Sequence, residues 1–175
     1  MKIETDRVIL REMNKGDLDA LYATMLADPV IVNHYPNLFN KEKVLELIVR
    51  NIELYRIFGF GLWAVCLKKT GEIIGECGLT MELIDGKVRP EIDYHIRSDM
   101  LSKGYATEAA KAVRDWAFEN TPFHEIYSYS KYHSVITSNT VNALGCRYMY
   151  EFDDEQNITR KIYVITKSDW LNMRA

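Results

Sequence analysis

The stretch from Pro90 to Asn120 carries a strand, a small-residue loop and a long helix without a break. PEIDYHIR alternates polar and apolar side chains, the period of a strand with one buried face. SKGYATEAAKAVRDWAFEN then sets Ala106, Ala109, Ala110, Val113, Trp116 and Ala117 along one helical stripe, and Asn120-Thr121-Pro122 closes it. A strand that runs into a long helix returns to its sheet by a crossover, so one parallel strand pair belongs in the fold. EIYSYSKY is the segment that supplies the returning strand.

The flanking segments call for antiparallel neighbours. LWAVCLKK and EIIGECGLTMEL read as strands joined at Thr70-Gly71, and Asp85-Gly86 is a strong two-residue hairpin signal into the Pro90 strand. Upstream, Arg7 to Met13 reads as a strand. Asp17 is the expected cap of a helix carrying Leu18, Leu21, Tyr22, Met25 and Leu26, which Pro29 ends. Asn40 opens a second helix with Val44, Leu45, Ile48, Ile52 and Tyr55 in line, closed by Gly59 and Gly61. Downstream, Ser134 to Leu144 reads as a short helix stopped by Gly145, and CRYMYEF and TRKIYVIT form a hairpin around DDEQN. The order predicts one α/β domain over residues 1–175. Its sheet is mixed and mostly antiparallel, with about seven strands flanked by about four helices.

Charge and composition exclude several classes. With 22 Lys+Arg against 25 Asp+Glu, the net charge of -3 argues against nucleic acid or an anionic membrane as partner. No apolar run approaches the roughly 18–20 residues of a membrane span, and MKIETDRVILREM lacks a signal peptide's apolar core. Cys66, Cys77 and Cys146 are odd in number and far apart, which suits buried small hydrophobes in a reducing, cytoplasmic compartment. His34, His95, His124 and His133 lack the i, i+4 pairing of a helical zinc site, so no metal is expected. Gly59-Phe60-Gly61-Leu62-Trp63-Ala64 matches a dinucleotide-binding pattern but precedes a strand, where no helix start meets a pyrophosphate.

The turn into the long helix is where chemistry is legible. Free amides at a helix start point outward and its dipole favours negative charge. Gly104 and Ala106 keep the turn low, so that backbone can approach an anion. The same residues also suit an ordinary strand-to-helix turn leading into a helix of small residues packed on a sheet.

KGYATEAAKAVRDWAFE resembles the acyl-CoA-binding motif of the GNAT superfamily of N-acetyltransferases. Within it the chain is similar to the branch of ribosomal-protein N-terminal acetyltransferases and their small-molecule relatives. ETDRVILREMNKGDLDALYATMLADPVI is similar to that branch's opening strand and helix, and GFGLWAVCLKKTGEIIGECGL to its central hairpin. PEIDYHI resembles the strand that contacts pantetheine, and NALGCRYMYEF the late Leu-Gly turn and strand. The resemblance implies a sheet splayed centrally, with acetyl-CoA as co-substrate in the slot. Pantetheine would bond backbone near Ile96, and the pyrophosphate would sit on the amides of Ser102, Lys103, Gly104, Tyr105, Ala106 and Thr107. Arg97 and Lys103 would add charge at the mouth, unless they are merely solvated.

The implied reaction moves acetyl to a primary amine, from a small molecule or a peptide, by direct attack. The oxyanion would be held by a backbone N–H near Ile96. Glu91, Asp93 and His95 share one strand face, and Ile92, Tyr94 and Ile96 share the other. The resemblance places a catalytic glutamate early on this strand, so Glu91 is the expected general base, against the alternative of a solvated sheet face. Glu76 and Glu108 compete for that role, with Glu108 read as structural or exposed.

The chain departs from the family pattern at several positions. Leu101 occupies the first position of the Q/R-x-x-G-x-G/A signature, and Leu101-Ser102 replaces Trp-Gly. Ser134 stands where the family often has a cofactor-contacting Asn, and Thr137 where it often has Ser. Val141 replaces the tyrosine that commonly acts as general acid, leaving Thr137, Ser138 or water to return the proton. These changes keep a non-catalytic acyl-CoA-binding module as the rival reading, with a larger acyl donor as a further variant. Asn33, His34, Tyr35, Phe39 and Tyr55 are candidates for the acceptor pocket or for core packing. A homodimer is the default assembly.

Overall fold

The computed structural model describes residues 2–26, 40–129, 135–153 and 159–175, with only the backbone of 135–138. Its strands are β1 (Lys2–Glu4), β2 (Val8–Arg11), β3 (Leu62–Leu67), β4 (Ile73–Ile84), β5 (Lys87–Ile96), β6 (Glu125–Tyr129), β7 (Arg147–Asp153) and β8 (Thr159–Thr166). Its helices are α1 (Leu18–Leu26), α2 (Lys41–Phe58), α3 (Tyr105–Asn120), α4 (Val135–Ala143) and α5 (Lys167–Arg174). One eight-stranded sheet takes the order β1-β2-β3-β4-β5-β6-β8-β7. Each neighbouring pair is antiparallel except β5–β6, the crossover pair that spans α3.

Among the described residues there are eight strands and five helices, close to the expected seven and four. The additions are β1 and α5. β1 has three residues and no buried position, so it carries no pattern of its own. α5 buries only Trp170, and its start is set by a capping box between Thr166 and Asp169 rather than by an apolar stripe. The cap at the first helix also differs from expectation. Asn14 is the capping residue, its side chain accepting from Gly16 N–H at 2.8 Å. A short 3₁₀ turn over Lys15–Asp17 precedes α1.

Asp17 instead faces Arg11, with two N–H···O bonds of 2.8 Å, and accepts from the Asn14 amide at 2.8 Å. Burial pushes the Asp17 carboxyl up, but Arg11 and Asn14 outweigh it and hold the group below the usual carboxylate range. A carboxyl with a lowered folded-state pKa stabilises the fold while ionised and loses that contribution as it protonates. Asp17→Asn is therefore expected to cost about 1–3 kcal/mol at neutral pH. The difference from the parent should close as pH falls below the ordinary value of 3.8. Denaturant titrations of both proteins at neutral and acid pH measure this.

The sheet separates two layers of helix. Trp63, Val65, Cys77, Leu79, Ile92, Ile96 and Ile126 pack against Ala109, Ala110, Val113, Ala117 and Phe118 of α3, with Trp170 of α5. Trp63 and Trp116 meet edge to face at 5.0 Å, tying β3 to α3. On the opposite face, Leu62, Ala64 and Cys66 pack with Leu21 and Met25 of α1 and Val44 and Ile48 of α2. Farther along that face, Ile84, Tyr127, Ile162 and Val164 make a smaller apolar cluster. All three cysteines are buried and free.

Candidate active site

β5 pairs with β4 along its whole length, from Ile84↔Lys87 to Gly75↔Ile96. On its other side β5 pairs with β6 only at Glu91↔Tyr127. Both strands continue past that point, to Ile96 and Tyr129, so the sheet forks there. Beyond Glu91 the β5–β6 ladder has no further registered pair among the described residues. An extended ligand can add to an open strand edge as a strand would.

The wide end of the fork opens onto the turn before α3. Ser98–Met100 makes one 3₁₀ turn, Leu101 is extended, and Ser102 takes a φ of 59°. Gly104 then caps α3 with a φ of 84° and no side-chain hydrogen bond. A left-handed φ favours glycine because a Cβ crowds the backbone there. A cap without a side chain leaves the first amides of the helix for another acceptor. These elements border a cleft enclosing about 630 Å³ of space open to solvent.

The cleft is lined by Ile96, Ser102, Gly104, Tyr105, Ala106 and Thr107, six of the nine residues expected to contact the cofactor. Arg97 and Lys103 do not line it. Arg97 is held by Glu72 at 2.8 Å and Asp99 at 2.6 Å, and Lys103 Nζ lies 3.6 Å from Met100 Sδ. Ser134 lies outside the described residues, and Thr137 is described only as backbone within α4.

Alternation carries a polar strip to the opposite face of the sheet. Ala64↔Glu76, Glu76↔His95, Gly78↔Asp93 and Thr80↔Glu91 are cross-strand partners, so their side chains share that face. The strip runs between the apolar cluster under α1 and α2 and the one around Tyr127. Glu91 stands at the vertex of the fork. It is 1% exposed, so the solvated-face alternative does not hold for it. Glu76 is also buried, with its Oε1 3.9 Å from His95 Nδ1. At the far end Arg89 bonds Glu125 at 3.1 Å, and its guanidinium lies over the Tyr127 ring.

Two features escaped the sequence reading. Asn139 and Thr140 of α4 line the cleft, and the Thr140 and Thr107 hydroxyls lie 3.2 Å apart, joining α4 to α3. A threonine within a short polar helix gives no periodic signal, so only the packing of α4 on α3 reveals it. Glu108 accepts hydrogen bonds from Thr5 and Arg7, which brings the first hairpin to the cleft's turn. Val141 is fully buried in the main core and does not line the cleft. Tyr55 bonds Leu62 O and receives Met13 N–H, the ties of a packing residue. Asn33, His34, Tyr35 and Phe39 lie outside the described residues.

The family model described as acetyltransferase (GNAT) domain matches residues 7–146. The uncharacterised protein YkkB of Bacillus subtilis is 33% identical over 122 residues, covering 70% of this chain and 71% of that protein. The fold is similar to RimL, a ribosomal L7/L12 alpha-N-protein acetyltransferase solved with coenzyme A. That match has a TM-score of 0.79 at 12% identity, over 95% of this chain and 98% of that one. It is similar also to the microcin C7 self-immunity acetyltransferase MccE, solved with acetyl-CoA and AMP. There the TM-score is 0.76 at 12% identity, over 93% of each chain.

Proposed function

The chain belongs to the GNAT family of acetyltransferases, and from that membership we propose that it moves acetyl from acetyl-CoA to a primary amine by direct attack. The observation that carries this reading is the fork, which opens at one end onto an uncapped helix start and at its vertex onto a polar strip. The amides of Tyr105, Ala106 and Thr107 suit a pyrophosphate, and the open edge of β5 near Ile96 suits the amide-bearing pantetheine arm. The co-substrate supplies a thioester carbonyl as electrophile.

The remaining work belongs to this chain's own residues. Attack by the amine nitrogen forms the amide C–N bond, breaks the C–S bond and leaves an ammonium proton to be removed. Glu91 accepts that proton at the vertex, and Asp93 and His95 on the same face extend the path toward solvent. A backbone N–H at the open edge near Ile96 holds the developing oxyanion. Thr137, on the turn of α4 that carries the family's serine, helps return a proton to the departing sulfur. A thiol's pKa of about 8.5 makes that help modest.

Burial pushes the Cys77 thiol up and the Cys146 thiol up to about 12. Neither offers a thiolate at neutral pH, which favours direct attack over a cysteine-bound acyl intermediate. The carboxylates of the strip suit a cationic acceptor, whether a peptide N-terminus or a small-molecule amine. Three free, buried cysteines suit the cytoplasm.

A panel of peptides, polyamines, amino acids and aminoglycosides, assayed with acetyl-CoA by thiol release, tests the proposal. Turnover on one amine class is expected. CoA binding without turnover on any amine would favour the non-catalytic binding module, the reading that Val141 at the tyrosine's place supports. A protein that binds no CoA would overturn both.

A further inference from the structure

The turn that holds the cleft is itself held by a residue of the first hairpin. Arg7, between β1 and β2, donates from Nε to Glu108 Oε2 at 2.6 Å and from its backbone amide to Oε1 at 2.8 Å. Thr5 Oγ1 donates to the same Oε1 at 2.6 Å. The Arg7 Nη1 donates to the carbonyl of Lys103 at 2.9 Å, and the guanidinium carbon lies 4.6 Å over the Tyr105 ring. A Cβ placed on Gly104 would come 3.2 Å from Arg7 Nη2. One side chain therefore touches Lys103 and Tyr105 and lies close beside Gly104 between them.

Glu108 gives this contact an electrostatic purpose. It lies in the first turn of α3, where its amide bonds the carbonyl of Gly104 at 3.0 Å. A carboxylate at a helix start is stabilised by the dipole, yet it repels any second anion bound at the same amides. Burial pushes the Glu108 carboxyl up, but Thr5, the Arg7 amide and the Arg7 guanidinium outweigh it and keep the group ionised. Its charge is thus present at neutral pH and has to be cancelled by a neighbour before a pyrophosphate can sit one turn away.

We propose that Arg7 is a cofactor-positioning residue, which fixes the turn from Lys103 to Tyr105 and cancels the Glu108 charge beside the cofactor's phosphates. The inference rests on the acetyl-CoA reading of the cleft and adds to it a residue remote in sequence from the cofactor motif.

Calorimetric CoA affinity, with steady-state kinetics, tests it in folded variants. Arg7→Gln is expected to weaken CoA binding about tenfold. It should raise the KM for acetyl-CoA by a similar factor and leave kcat at saturating acetyl-CoA unchanged. The double variant Arg7→Gln with Glu108→Gln removes the uncancelled anion and is expected to regain most of the lost affinity. A purely structural tie would regain none of the affinity in the double variant, and that result overturns the proposal. So does unchanged affinity in Arg7→Gln, or a fall in kcat with KM preserved. Should Arg7→Gln not fold, Arg7→Lys keeps a cation beside Glu108. A loss under tenfold is then expected, and a larger loss overturns the proposal. A parent that binds no CoA overturns the underlying functional reading, whereas a CoA-binding parent with an indifferent Arg7→Gln overturns this inference alone.

Discussion

Glu91→Gln is expected to turn over roughly 10²-fold more slowly than the parent, the usual scale for loss of a general base. The two side chains have nearly the same shape, so packing at this buried position is preserved while the capacity to accept a proton is lost. Glu91 sits at the single residue where β5 still pairs with β6, at the closed end of the fork. Its carbonyl is engaged by Thr80 Oγ1 at 3.5 Å, which holds the backbone there independently of the carboxylate. CoA affinity, expected to depend on the turn before α3, should stay the same. The pH–rate profile gives the second readout. A base works only when deprotonated, so the parent's rate falls on the acid side as the group protonates. Glutamine does not titrate, and the acid limb should disappear with it. Near-parental turnover with an intact acid limb would remove Glu91 from the mechanism and move the test to Glu76, which faces His95 on the same strip.

Gly104→Val should weaken CoA binding at least about tenfold, equivalent to 1.4 kcal/mol. Gly104 caps α3 with a φ of 84°, a conformation that costs a non-glycine residue roughly 1–2 kcal/mol and a β-branched one more. Relief of that strain turns the first peptide units of α3 away from the cleft, and with them the amides that would meet the phosphates. The new Cβ would also press on Arg7 Nη2 at 3.2 Å, loosening the tie to Glu108. Gly104→Ala should fall between valine and the parent. Calorimetry on folded variants measures the effect, and unchanged affinity in Gly104→Val would exclude this turn as the phosphate site.

Much of the fold is legible because its strongest signals are local. Asp85-Gly86 sets a two-residue hairpin, and both residues have positive φ, as that turn demands. Asn40 caps α2 through its side chain, and Gly59 ends the helix in the left-handed conformation. β1 and α5 were illegible because each is too short to show a period, and both exist through pairing and docking. Asp17 looked like a cap because carboxylates favour helix starts. Asn14 caps the 3₁₀ turn instead, and the Asp17 carboxylate completes that capping box while pairing with Arg11.

The cleft before α3 divides along the same line. Six expected residues line it, and five of them fall within the short motif from Ser102 to Thr107, where neighbours in sequence stay neighbours in space. Arg97 was expected at the mouth because its charge is visible in the sequence. Glu72 and Asp99 claim that charge, and neither pairing can be read from spacing. Thr140 reaches the cleft by the docking of α4 on α3, and Arg7 meets the turn beside it by the docking of the first hairpin.

By itself the sequence determined the element order, the one parallel crossover and the small-residue turn before α3. Each follows from periodicity or turn chemistry within a few residues. Tertiary structure alone decided that β5 and β6 part at Glu91, that Glu91 is buried at the vertex, and that Arg7 meets Glu108 across the fold. A fork in a sheet and the cancelling of a charge depend on how distant segments approach one another. Side-chain pattern along the chain records which face a residue takes, and leaves unrecorded what stands opposite it.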